Sequence, residues 1–288
     1  MSQPSTRTPL SARQPIGVFD SGVGGLTVAK AVMAKLPHER LVYLGDTARV
    51  PYGSRSQTTV LRYSRNAARF LLKHSVKLVL IACNTASAAA LDVLHDELPV
   101  GVLGAVEPGA AAAVAATRSG AIGVIGTLAT VRSGAYERAI KRLQSSNVSR
   151  IDALACPLLV PLVEEGWTDA DDAVSQLVLR RYLQDLRQKS PDLDTLVLGC
   201  THYPLLRPAI ARVVDDLWSH PVTLVDSAQA MAEATQQILG REGLLAEASS
   251  AQTAESRLTC YVTDEARVAE VGSRFLGHPL GTVQLVDL

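Results

Sequence analysis

Ten short, almost wholly apolar runs recur along the chain, at 16–20, 41–45, 78–82, 100–103, 121–126, 151–155, 195–199, 222–225, 258–262 and 282–286. A strand with one face in water alternates apolar and polar residues, whereas runs such as KLVLIAC and TLVLGC leave no face for water. Both faces of such strands must be covered, and the intervening segments carry the means. In QTTVLRYSRNAARFLLKH, residues Val60, Ser64, Ala67, Ala68, Leu71 and Leu72 share one face at helical spacing, while Arg62, Arg65 and Arg69 point outward. Apolar strands alternating with such helices predict an α/β fold built on parallel sheets.

The chain then echoes itself. IGVFDSG at 16–22 leads on to LVLIACNTA at 78–86, and IGVIGT at 122–127 leads on to LVLGCTHYP at 196–204. The opening-to-cysteine spacings are similar, 67 residues from Ile16 to Cys83 and 78 from Ile122 to Cys200. We read this as two similar parallel-sheet domains with helices on both faces and a cleft between them. The first is expected to span 15–107 and to be completed by 221–288, and the second to span 108–220. Residues 1–14 are expected to be a disordered lead-in, and the polar stretch 241–257 a surface insertion.

Composition removes several classes of function. The 28 basic and 28 acidic side chains cancel and the basic residues form no run, so nucleic acid is not an expected partner. No apolar run approaches the length of a membrane span, and the opening MSQPSTRTPLSARQP has no apolar core of signal-peptide type. The cysteines, at 83, 156, 200 and 260, stand far apart with no CxxC pair, which suits a reducing cytoplasm.

Ligands of open α/β sheets bind beyond the carboxyl ends of the strands, where each hands over to a helix. Cys83 and Cys200 both occupy that handover, followed by Asn84-Thr85 and Thr201-His202. Free N–H groups at a helix start would receive a ligand carboxylate and lower a thiol's pKa. Asp20, Ser21 and the GVGG after them, Asp46, the turn containing Tyr52 and Gly53, which offers a phenol and backbone donors, and Thr127 belong to the same set of strand ends. Cys156 and Cys260 lack this context and read as structural.

Four chemistries compete for these residues. A dinucleotide site would need a third glycine after Gly22 and Gly24, and would leave the cysteines unused. Zinc would find soft ligands in Cys83, Cys200 and His202, but no zinc-finger spacing and no HExxH. A cysteine hydrolase needs one nucleophile with His202 as base, and here two cysteines occupy equivalent places. Two like acid/base groups on opposite sides of a cleft suit racemisation, in which one removes a proton from a carbon and the other supplies one to its far face. Asn84, Thr85, Ser21 and Thr201 are donors suited to steadying the charge that develops. No metal and no organic cofactor is expected.

Six stretches, DSGVGGLTV (20–28), GDTARVPYGSR (45–55), ACNTASAAAL (82–91), IGVIGT (122–127), CPLLVPLVEEG (156–166) and GCTHYPLL (199–206), together resemble the glutamate racemase family. The resemblance implies cofactor-independent interconversion of L- and D-glutamate, supply of D-glutamate for peptidoglycan, and a cytoplasmic homodimer. It makes Cys83 the thiol acting on the D-glutamate face and Cys200 the thiol acting on the L-glutamate face. Asp20 matches a carboxylate beside the first cysteine. Glu164 and His202 match groups that assist the second. Ser21, Tyr52, Gly53, Asn84, Thr85, Thr127 and Thr201, with Asp20 and His202, match substrate-binding positions. A racemase for aspartate or another amino acid remains open, because side-chain length is discriminated by pocket contacts.

Overall fold

The computed structural model describes residues 10–143, 147–248 and 257–288. In chain order the elements are β1 (Ile16–Asp20), α1 (Leu26–Lys35), β2 (Leu41–Gly45), α2 (Gln57–Leu72), β3 (Leu78–Ile81), α3 (Asn84–Glu97), β4 (Gly101–Gly104), α4 (Val106–Ala116), β5 (Ala121–Gly126), α5 (Leu128–Arg132) and α6 (Ala135–Arg142). They continue with β6 (Arg150–Ala155), α7 (Leu159–Glu164), α8 (Ala173–Lys189), β7 (Thr195–Gly199), α9 (Arg207–Leu217), β8 (Thr223–Asp226), α10 (Ser227–Arg241), β9 (Leu258–Val262), α11 (Val268–Leu276) and β10 (Val283–Leu285). Each of the ten apolar runs is a strand, and no end differs from its expected position by more than one residue.

The strands form two parallel sheets, ordered β10-β9-β2-β1-β3-β4 and β6-β5-β7-β8. Strands β1, β2, β3, β5 and β7 are buried at every residue, whereas β9 and the edge strands β4, β6, β8 and β10 are only partly covered. That is why the most continuous apolar runs belong to the middle of each sheet. On α2, Val60, Ser64, Ala67, Ala68 and Leu71 are buried, with Ser56 capping its first turn.

The strand order β2-β1-β3-β4 recurs in the second sheet as β6-β5-β7-β8. β3 and β7, the strands that run into Cys83 and Cys200, therefore hold equivalent places, each beside the first strand of its unit. The same correspondence moves a boundary. β8 lies within the 221–288 span expected to complete the first unit, yet it pairs with β7 as the counterpart of β4. The chain returns to the first sheet only at β9, which pairs with β2.

Fully buried Lys77 joins distant segments. Its Nζ lies 2.6 Å from Glu39 Oε2 and donates to Ala12 O at 2.7 Å and Leu244 O at 2.8 Å. Arg40 likewise donates to Arg13 O at 2.6 Å, so residues 10–14 are tied to the body rather than loose as expected. Leu244 is buried and the Ala246 N–H donates to Glu39 Oε1. Residues 1–9 of the expected lead-in and 249–256 of the expected insertion lie outside the described residues. No helix among the described residues is long and apolar enough to cross a membrane.

Candidate active site

A cavity of about 330 Å³ opens where the carboxyl ends of the two sheets meet. Ser21, Tyr52, Gly53, Cys83, Asn84 and Thr85 line it from the first sheet's loops, and Thr127, Glu164, Cys200, Thr201 and His202 from the second's. Val50, Pro51, Leu128, Pro157, Val160 and Pro161 complete an apolar wall. Among the described residues, Glu164 and His202 are the ionisable lining groups besides the two cysteines and Tyr52, and no lysine or arginine lines it. A carboxylate held here would rely on N–H and hydroxyl donors such as those of Asn84, Thr85 and Thr201.

Close approach of the two halves depends on glycine. A Cβ on Gly24 would run into the Thr201 hydroxyl and lie 2.6 Å from the His202 ring, and one on Gly53 would lie 2.9 Å from Thr127 Cβ. Hydrogen bonds then cross the junction. Thr27 Oγ1 donates to Thr201 O at 3.2 Å, and the hydroxyls of Thr85 and Thr127 meet at 2.9 Å, with Thr130 within 3.2 Å of both.

Cys83 follows β3 and caps α3, its sulfur accepting from the Ala86 N–H at 3.5 Å and donating to Ser21 Oγ at 3.4 Å. The helix start was expected to lower this thiol. Burial dominates instead and, with the nearby Asp20 carboxylate, pushes Cys83 up to about 12 against the helix N–H and Ser21. Its resting form is the thiol.

Asp20 does not line the cavity; it lies buried behind it at the end of β1. Its Oδ2 accepts from the Gly22 N–H at 3.0 Å, and Oδ1 makes no full hydrogen bond among the described residues. Burial raises this carboxyl above the usual range, opposed by His202 and the N–H groups of Gly22, Gly25 and Ser21.

The second cysteine has different company. His202 Nδ1 lies 3.9 Å from Cys200 Sγ and 3.4 Å from Thr201 Oγ1, and its Nε2 lies 3.0 Å from Glu164 Oε1. Burial would depress the imidazole, but Cys200 and Glu164 outweigh it and push His202 up to about 10. An imidazolium here donates one N–H to the Cys200 sulfur and the other to Glu164. Tyr203, one residue on, anchors the loop by donating to Cys156 O at 2.8 Å.

Tyr52 differs from expectation in what it offers. Its hydroxyl donates to the buried Asp46 carboxylate, which also takes Arg49 at 2.8 Å and Thr263 at 3.0 Å. The phenol is thus committed inside the protein, and Pro51, Tyr52, Gly53 and Ser54 line the cavity beside it. Two residues escaped the sequence reading. Tyr136 on α6 donates to Asn84 Oδ1 at 2.7 Å, and Thr130 completes the hydroxyl cluster. Neither gave a local signal, because both meet their partners through the fold, whereas Gly24, which permits the close junction, lies in the GVGG noted above.

The family model for Asp/Glu/Hydantoin racemase matches residues 26–235. A glutamate racemase from Geobacter metallireducens is 50% identical over 274 residues, covering 95% of this chain and 96% of that protein. The crystal structure of a glutamate racemase isoform from Bacillus anthracis superposes with a TM-score of 0.86 at 36% identity, covering 96% of this chain and 98% of that one. Glutamate racemase from Francisella tularensis, solved in complex with D-glutamate, gives 0.85 at 33% identity with the same coverage. Matched along nearly its whole length in sequence and in fold, the chain belongs to the Asp/Glu/Hydantoin racemase family.

Proposed function

We propose that this chain is a cofactor-independent glutamate racemase in which Cys200 and Cys83 work on opposite faces of the α-carbon. The observation that carries this is the pair of cysteines, brought by equivalent strands of two sheets to a single cavity. With L-glutamate bound, Cys200 as thiolate takes the α-proton, and the electron pair left on the α-carbon delocalises into the adjoining carboxylate. Donors such as Asn84, Thr85 and Thr201 steady that charge, and the Cys83 thiol delivers its own proton to the far face. The product leaves Cys200 protonated and Cys83 as thiolate, the state required for the reverse reaction. His202, held by Glu164, supports the charge on Cys200, whereas Asp20 and Ser21 serve Cys83. Asn84, Thr85, Thr127, Thr201 and the Tyr52-Gly53 turn hold the substrate.

Glutamate is favoured over a shorter dicarboxylate by the relatives named above, whose names and bound ligand are glutamate's. We further assign the product to peptidoglycan assembly, the workplace to the cytoplasm, where four free cysteines stay reduced, and the working form to a homodimer. The two sheets are taken as two domains, parting after β4 and rejoining after β8.

A test is to incubate L-glutamate with the protein in heavy water and follow optical rotation together with α-deuterium. Loss of rotation with one deuterium per inverted molecule is expected, and recovery of unlabelled, unrotated L-glutamate would remove the reading. The Cys200–His202–Glu164 chain also meets the needs of a thiol hydrolase. That alternative requires Cys83→Ala to keep full activity.

A further inference from the structure

Helix α11 follows β9 of the six-stranded sheet, yet its last turn reaches the other half of the molecule at the side of Cys200. Arg274 Nη1 donates to Glu164 O, the last residue of α7, at 2.5 Å. Gly166 just beyond has φ +80°, and a Cβ there would lie 3.1 Å from Arg274 Cζ, so the guanidinium is packed against the end of α7. Arg267 binds Glu165 Oε1 at 2.8 Å, and Glu270 holds both guanidiniums, at 2.6 Å from Arg274 and 3.5 Å from Arg267. Phe275, 1% exposed, sets its ring edge-to-face with His202, centroids 4.9 Å apart. One helix turn therefore grips both members of the Glu164–His202 pair, from the main chain of one and the ring of the other. Neither Arg274 nor Phe275 lines the cavity.

We propose that Arg274 and Phe275 are positioning residues for the Glu164–His202 pair, and through it for proton transfer at Cys200. This rests on the two-cysteine reading above. Among the described residues none of α11 bonds to Cys83, which meets Ser21 and the Ala86 N–H and feels the Asp20 carboxylate. Small displacements of a catalytic group are costly, so loosening the grip slows one of two successive transfers.

The consequence is specific. Two enantiomers have equal free energy, so kcat/KM must fall by the same factor in both directions, about tenfold for Arg274→Ala. The asymmetry emerges in the isotope effect on kcat/KM. With α-deuterated L-glutamate the effect rises, because removal of the deuteron by Cys200 becomes more rate-limiting. With α-deuterated D-glutamate it falls, because the Cys83 step then approaches equilibrium ahead of the slowed Cys200 step. Arg274→Lys, which keeps one donor for Glu164 O, should recover most of the rate and close the split. Phe275→Leu, with an apolar side chain but no ring, should reproduce it.

A readout free of turnover is the NMR titration of His202, whose charged and titratable neighbours are Glu164 from α7, Cys200 after β7 and Asp20 from β1. Its midpoint should move to lower pH in Arg274→Ala while the fold melts within a few degrees of the parent. His202→Asn separates the possible failures. A split in His202→Asn but none in Arg274→Ala or Phe275→Leu overturns the positioning role alone. No split in any of them removes the assignment of His202 to Cys200, and this proposal with it.

Discussion

The Tyr136 hydroxyl donates to Asn84 Oδ1 at 2.7 Å, tying a helix of the four-stranded unit to the first turn of α3 in the other. With Oδ1 so engaged, Asn84 Nδ2 is buried and without a partner among the described residues, on a residue that lines the cavity. The bond thus fixes which way the amide is turned beside the cavity. Tyr136→Phe removes it and strands a buried acceptor, at about 1–3 kcal/mol. We expect a folded protein whose KM for glutamate rises several-fold, by steady-state kinetics in both directions; an unchanged KM would contradict a role for Asn84 in binding.

The four cysteines should divide cleanly. Cys83→Ala and Cys200→Ala should each lower racemisation by roughly a thousandfold or more, the scale of a lost general acid or base. Cys156 and Cys260 are buried outside the cavity, and their alanine variants should turn over normally while losing about 1 kcal/mol of stability. Polarimetry on the four variants and urea unfolding decide this; near-parental racemisation in either of the first two variants ends the two-thiol mechanism.

The pH profile should have an alkaline limb set by His202. Its folded pKa, pushed up to about 10, stands above the ordinary value of 6.5. The stabilisation from its charged form is therefore complete below about 6.5 and is lost as pH rises through about 10. Activity dependent on the imidazolium should fall over the same upper range. Glu164→Gln removes one of the groups that raise His202 and should shift the limb to lower pH, while His202→Asn should abolish it. A limb unmoved by both substitutions would assign it to another group.

Lys77 and Glu39 stabilise a junction away from the cavity. Both are almost fully buried, 2.6 Å apart, and Lys77 also holds main-chain oxygens of Ala12 and Leu244. Lys77→Met leaves a carboxylate uncompensated in the interior and should cost about 3–5 kcal/mol. The double variant Lys77→Met with Glu39→Leu should recover much of that loss, because no bare charge remains. Guanidinium unfolding of both proteins measures it, and equal stabilities would show that the charge is already relieved elsewhere.

Much of this was legible in the chain itself. A run such as LVLIA has no water-compatible face, so its place in the middle of a covered sheet follows from local pattern. Cysteines that end two such runs, each followed by hydrogen-bonding residues, were recognisable as paired junctions for the same reason. The membership of β8 was not. Four residues of ordinary apolar character carry no mark of which edge they will pair with, and only the recurrence of strand order shows β8 to be the counterpart of β4. Tyr52 reads as a cavity phenol until its partner is seen to be Asp46.

Local pattern thus determined the strands, the covering helices, and the placing of Cys83 and Cys200 at strand ends, because periodicity and burial are properties of adjacent residues. The tertiary structure decided which groups stand beside each thiol: buried Asp20 and Ser21 at one, His202 with Glu164 at the other, and α11 pressing on the latter pair. Those neighbours come from segments up to 110 residues apart, as Arg274 is from Glu164. The raised pKa of Cys83 and that of His202 come from burial and electrostatic contact, which exist only once the chain has folded.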